Sequence, residues 1–212
     1  MSTLEHDPVR HIYHLNGVRI PSNTDILEWA GFSNYDEANQ FNGGAVAQAA
    51  AVGDAVAKAT ELMDRRKPWK EYSHVAGYVE AWKKFKKDFR FKPTIIEEPL
   101  CDPDYGVATK PDRGGDSRLG IITVQQKTYR PNVATAIQTA FEEWCIYRKL
   151  GIEIKRSTKN RFGVELRHDG TYSAHRFTDP NDIQVFFSAV TCYKWHQKNN
   201  TRRMRLWQPN QR

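Results

Sequence analysis

The spacing of apolar positions along the chain changes character several times, and each change marks an element. Residues 11–20, "HIYHLNGVRI", alternate weakly around Asn16-Gly17 and predict a hairpin. "PSNTDILEWAG" then reads as a helix, entered through Pro21, Ser22 and Thr24 and left at Gly31. Residues 33–43 read as loop. "GAVAQAAAVGDAVAKATELMD" is an alanine-rich helix in which Gly53 costs about 1 kcal/mol against alanine or marks a break. Asp54, Ala57 and Glu61 share one face of it. The next helix, Ser73 to about Phe89, sets Val75, Val79, Trp82 and Phe85 in one stripe and fills its other faces with lysine.

Beyond Pro93 the reading changes to strands: "TIIEEPL", "YGVATKPD" and "GIITVQQK", with "GGDSRLG" as a tight connection between the last two. "NVATAIQTAFEEWCIYRKLG" returns to a helix ending at Gly151. Its apolar face is Ile137, Ala140, Phe141 and Trp144, with Gln138 beside it. "FGVEL" and "TYSAHRF" flank the Asp-Gly turn of "RHDG". A last helix opens at "TDPND", where Asp179 can cap, Pro180 suits the first turn and Asp182 helps neutralise free N–H groups. Its stripe is Ile183, Phe187, Val190 and Tyr193. This order of elements predicts an α/β fold, a central mixed β-sheet with helices against both faces. It is expected to form a single domain over 1–212, with a core at about 12–197 and a basic tail at 198–212.

Composition narrows the setting. The chain has 212 residues, 39% hydrophobic and 27% charged, which suits a polar globular protein with one substantial core. It holds no apolar run of about 18 residues, so no membrane span is expected. "MSTLEHDPVRH" lacks the apolar core of a secretory signal. Cys101, Cys145 and Cys192 are odd in number and widely spaced, which disfavours a disulfide framework or a cysteine zinc site and points to a reducing, cytoplasmic interior. His168, His175 and His196 are scattered and suggest no zinc cluster either.

The formal net charge of +7 favours a polyanionic partner. Between Tyr193 and Arg212 stand six Lys or Arg and no acid, and "DRRKPWK" and "AWKKFKKDFRFK" carry further concentrations. Basic side chains interleaved with aromatic rings suit phosphate neutralisation with base stacking. Lys83, Lys87, Arg113, Arg202, Arg203 and Arg205 are therefore candidate DNA contacts, and Trp69, Tyr72, Trp195 and Trp207 candidate stacking rings.

The candidate chemistry lies in "ITVQQKT". Gln125 and Lys127 stand two apart on a strand, so both point the same way, and Gln126 points the other way while offering its carbonyl. If the preceding strand pairs with this one, Asp112 comes close to Gln125, and Glu97 can approach from the other side. Hard oxygen ligands of this kind can hold a divalent cation, and a nearby lysine can orient a water for attack on a phosphodiester. By spacing alone, an ordinary meander with a solvated lysine tip explains the pattern as well.

The succession of motifs resembles the PD-(D/E)xK nuclease superfamily, in its RecB-like and phage exonuclease-like branch. "VRIPSNTDIL" resembles the entry segment, "YGVATKPDRGG" the strand ending in the metal-binding aspartate, at Asp112, and "ITVQQKT" the strand bearing the acid and lysine, at Gln125 and Lys127. "AIQTAFEEW" resembles the following helix with its glutamine, Gln138, and the segment from Val164 to Trp195 the closing hairpin and helix. The resemblance implies a restriction-endonuclease-like core and a metal-dependent DNA exonuclease. Mg²⁺ or Mn²⁺ would be held by Asp112, Glu97, Gln125 and Gln126, with Glu61 a further candidate. Lys127 would polarise the water and Gln138 position it. It also implies DNA as substrate, a single-strand-binding or recombination protein as partner, and the bacterial host interior if the chain is phage-encoded. Two positions depart from the pattern: the family histidine falls on Ala57 and the acid before the lysine on Gln125. The alternative is a catalytically weakened or inactive nuclease-fold protein that binds DNA.

Overall fold

The computed structural model describes residues 3–32, 35–153 and 160–206, and within these the side chains of all but 35–43, 45–46 and 200–206. The chain opens with a small antiparallel sheet, β1 (Leu4–Asp7), β2 (Ile12–Leu15) and β3 (Val18–Ile20), turning at Asn16-Gly17 as expected. β1 was not foreseen, because four residues of mixed polarity carry no period. α1 (Asn23–Trp29) starts with a capping box: Ser22 Oγ accepts from Asp25 N at 3.1 Å, and Asp25 Oδ2 accepts from Ser22 N at 2.8 Å.

α2 (Tyr35–Asp64) runs unbroken through Gly53 and begins well before the alanine-rich segment. The loop expected over 33–43 is thus helical from Tyr35, while 33–34 lie outside the described residues. No proline interrupts that stretch, and Asp36 and Glu37 suit a helix N-terminus. A 3₁₀ turn (Lys70–Val75) leads into α3 (Ala76–Phe89), which buries Val79, Trp82 and Phe85.

The main sheet has five strands, in the order β10 (Tyr172–Phe177), β9 (Arg161–Leu166), β8 (Gly120–Lys127), β7 (Arg113–Ser117), β4 (Lys92–Ile96). Only β8 and β9 are parallel, and α4 (Val133–Lys149) makes the crossover between them that parallel pairing requires. α5 (Asp182–Leu206) closes the chain. α1, α4 and α5 cover one face around Ile137, Phe141, Ile146 and Phe186. α2 and α3 cover the other around Val79, Trp82, Phe85, Ile122 and Val124. The mixed α/β sheet flanked by helices is therefore present. Arg161, 0% exposed on β9, ties the first face together by donating to Ala136 O at 2.6 Å on α4 and to Asp182 at 2.8 Å on α5.

Two strand expectations change. "YGVATKPD" does not run as one strand to Asp112. Val107–Thr109 forms β6, which pairs with β5 (Leu100–Asp102) in a separate two-stranded ribbon. Pro99, Pro103 and Pro111, lacking N–H donors, bound this ribbon. "GGDSRLG" is not mainly a turn, because β7 includes its first four residues. Gly114 and Gly115 serve close packing there. A Cβ on Gly115 would stand 2.2 Å from Lys92 O, and one on Gly114 2.6 Å from Ile146 Cδ1. The turn itself falls at Gly120, with φ +89°. No described helix is long and apolar enough to cross a membrane.

Candidate functional site

The register of β7 and β8 positions the site. Arg113 faces Val124, so the next pair outward sets Asp112 beside Gln125. Alternation along β8 sends Gln125 and Lys127 toward α4, and Val124 and Gln126 toward α2 and α3. Gln125 Nε2 donates to Glu142 Oε1 at 2.8 Å, and Gln138 Nε2, one turn earlier on α4, donates to the same oxygen at 3.0 Å. Glu142 is 0% exposed, and its Oε2 has no hydrogen-bond partner among the described residues. Burial first, and the neighbouring charge of Asp112 second, push its carboxyl up to about 8, against the two amide bonds and the attraction of Lys127. Glu142 is thus protonated at neutral pH. No local motif marks it; only the helical offset of four from Gln138 hints that it shares that face.

The metal-dependent reading does not survive this geometry. Among the described residues no group of three or more His, Cys, Asp or Glu can hold a metal ion. The expected carboxylate ligands do not converge on one point. Asp112 Oδ2 accepts from Gln126 N at 2.7 Å. The two carboxylate oxygens of Glu97 are ion-paired, to Lys110 at 2.9 Å and to Arg113 at 3.1 Å. Burial, and then Asp112, raise that carboxyl above its ordinary value. The Gln126 side chain lies on the opposite face, as expected, its Oε1 accepting from Thr60 Oγ1 at 2.9 Å. Glu61 is a surface group of α2, paired with Lys58 at 3.0 Å and Arg65 at 2.9 Å. The residues present do not fit Mg²⁺ or Mn²⁺. The metal-dependent nuclease, its hydrolytic activity and its cofactor are corrected accordingly.

The candidate DNA contacts separate. Arg113 is not on the surface: it is 0% exposed, bonded to Asp64 Oδ2 at 2.8 Å, to Glu97, and to Thr60 Oγ1 at 3.1 Å. Lys83 and Lys87 are exposed on α3, Lys83 paired with Glu80 at 2.7 Å and standing 5.7 Å from the Trp69 ring centre. The side chains of Arg202, Arg203 and Arg205, and Trp207 entirely, lie outside the described residues. Tyr72 is half-buried against the α2–α3 core, and Trp195 is exposed on α5.

Beside the Gln125–Glu142 cluster a cavity of about 650 Å³ opens between the N-terminal hairpin, the start of α1, the loop after β8 and the first turns of α4. Lys127 and Gln138 line it, with Lys110, Arg19, Tyr13 and Tyr129. Lys127 forms no ion pair among the described residues. Tyr13 is 5% exposed and stacks on His6 with ring centres 4.5 Å apart. Its hydroxyl is pushed up to about 12, first by burial and then by Asp25, Glu97 and Glu142, so it keeps its proton. Reading the sequence missed Lys110, Arg19 and Tyr13. The alternating hairpin was visible, but nothing local tells that its end meets the β5–β6 ribbon, where Ala108 N donates to Pro21 O at 2.9 Å. No family model and no curated protein matches the chain.

Proposed function

We propose that the chain is a DNA-binding protein on a restriction-endonuclease-like core, a PD-(D/E)xK relative whose site holds the phosphate backbone without cutting it. The charge state of the strand ends carries this reading. Two of the three acids there are offset in place, Glu97 by two cations and Glu142 by its own proton, and Asp112 accepts from a backbone amide. Lys127 lines the cavity with Arg19, beside Lys110, which is ion-paired with Glu97. A carboxylate at position 125 would repel a phosphate unless a cation stood between them, and the neutral amide of Gln125 removes that repulsion. A net charge of +7 adds long-range attraction.

The test is fluorescence anisotropy with a labelled DNA oligonucleotide in EDTA. Binding without divalent cation is expected, weakening at least about tenfold between about 50 and 200 mM salt as counterions are released. Lys127→Glu should weaken it by a further order of magnitude. Binding that needs Mg²⁺ or Mn²⁺, or that ignores Lys127→Glu, overturns the reading.

A further inference from the structure

We propose that α3 and the connection before it form a second surface, one for double-stranded DNA, on the sheet face opposite Lys127. It shares no residue with the strand-end site and stands or falls separately from it. Residues 65–92 hold ten Lys or Arg against three Asp or Glu, a balance of +7. One short segment thus carries an excess equal to the formal net charge of the whole chain.

Local acids offset only part of that excess. Arg65 pairs with Glu61 at 2.9 Å, Lys83 with Glu80 at 2.7 Å and Lys86 with Asp64 at 2.5 Å. Asp88 is taken up by the Tyr172 hydroxyl, which donates to it at 2.7 Å. Arg66, Lys67, Lys70, Lys84, Lys87 and Arg90 are exposed and form no ion pair among the described residues. Lys84 and Lys87 stand about one turn apart on the outer side of α3, away from the buried Val79, Trp82 and Phe85, and Arg90 follows at its C-cap. Lys83 Nζ lies 5.7 Å from the centre of the Trp69 ring, which brings the connection bearing the other three cations alongside α3. With 14 residues α3 is about 21 Å long, the length of about six base pairs.

The make-up of this face selects among polyanions. No large hydrophobic side chain of residues 65–92 is exposed. A single strand is held by stacking its bases on rings, but Trp69 is half-buried under Lys83 and Tyr72 is half-buried against the α2–α3 core. An acidic protein surface needs an apolar centre with large anchors, and lysine is depleted in such interfaces. A membrane holds a surface helix by an inserted apolar face, and α3 buries its own in the core. A duplex needs none of these. Its bases are already stacked, and it presents one phosphate charge for about every 1.7 Å of axis. Lysines meet such a row as point charges and read no sequence from it. Because α3 covers one face of the sheet and Lys127 points to α4 on the other, the duplex on α3 is not the one at Lys127. One chain therefore holds two DNA segments.

The test is calorimetric titration of the full chain, in EDTA and about 50 mM salt, with a duplex of about twelve base pairs, twice the span of α3. Lys84→Glu with Lys87→Glu is expected to bind one duplex fewer per chain than the parent at an unchanged melting temperature. Adding Lys127→Glu should remove a further one. Lys58→Glu with Lys149→Glu, on exposed lysines outside the segment, changes the net charge equally and should leave the number of duplexes as it was. Lys84→Gln with Lys87→Gln, which introduces no repulsion into the helix, should flatten the dependence of log affinity on log salt by about two in the Lys127→Glu background. Oligothymidylate and phosphatidylserine vesicles should bind the parent and the α3 variants alike. The proposal is overturned if the α3 variants bind as many duplexes as the parent, if the matched control loses a duplex too, or if oligothymidylate or vesicles suffer the same loss. One duplex per chain that Lys127→Glu and the α3 variants both weaken makes the two faces a single surface and overturns it as well. A loss in the α3 variants with none in Lys127→Glu keeps this surface and removes the strand-end reading, and the reverse removes this surface alone.

Discussion

Arg113 and Glu142 lie on opposite faces of the same strand pair, both 0% exposed, and they meet that burial in opposite ways. Around Arg113 charge meets charge: Asp64 and Glu97 both bond its guanidinium, and Asp64 is further held by Lys86 at 2.5 Å and by Trp82 Nε1 at 2.9 Å. Glu142 receives only the neutral amides of Gln125 and Gln138, with Asp112 nearby to repel it, so it keeps a proton instead. The α2–α3 side of the pair is an ionic network with a structural role, in which Gln126 Nε2 has no partner among the described residues. The α4 side leaves an unpaired oxygen and an ordinarily charged group held neutral, next to a cavity. The difference between the sides is one of charge compensation: cations meet the acids on one, and a proton meets the acid on the other.

The largest test of that contrast is Arg113→Leu. Removing the buried cation takes one partner from each of Asp64 and Glu97, leaving them to Lys86 and Lys110, and is expected to cost about 3–5 kcal/mol in urea denaturation at neutral pH. A loss below about 1 kcal/mol would show that the network does not hold the α2–α3 face.

Glu142→Gln is expected to act in the opposite direction. Below the ordinary carboxyl value of 4.5, Glu142 is protonated both folded and unfolded, and variant and parent should be equally stable. From 4.5 up to about 8 the unfolded chain releases the proton while the folded chain retains it, so the parent loses stability as pH rises. At pH 7 the variant should therefore be more stable by on the order of 3 kcal/mol. A variant less stable than its parent at pH 7, with no convergence near pH 4, would mean that Glu142 is ionised in the folded protein.

Thr60→Val gives the smallest effect. Thr60 Oγ1 accepts from Arg113 and donates to Gln126, so its loss should cost about 1–2 kcal/mol in urea denaturation. A loss below about 0.5 kcal/mol would show that the Thr60 hydroxyl does not support Arg113 and Gln126.

The correction at the candidate site has the same origin as the contrast. Spacing in "ITVQQKT" placed Gln125 and Lys127 on one face, and the structure agrees. Spacing could not tell that Glu97 is held by Lys110 and Arg113, since that pairing depends on how β4 meets β7. Nor could it tell that the residue answering Gln125 would be Glu142, which becomes its neighbour only when α4 crosses back over β8. A list of acids in the right order is therefore a weaker statement than a set of acids able to share a cation.

What the sequence determined alone was local: the hairpin at Asn16-Gly17, the helix entry around Ser22, the buried stripe of α3, the whole of β8 and the alternation along it. Each follows from a period or a turn residue that acts over a few positions. Tertiary structure alone decided that Gly114 and Gly115 belong to a strand, that Arg113 is internal, that Glu142 is neutral and that Lys127 shares a cavity with Arg19 from the far end of the chain. Those outcomes depend on desolvation and on which charges end up adjacent, and both quantities come into existence only when distant segments close on one another.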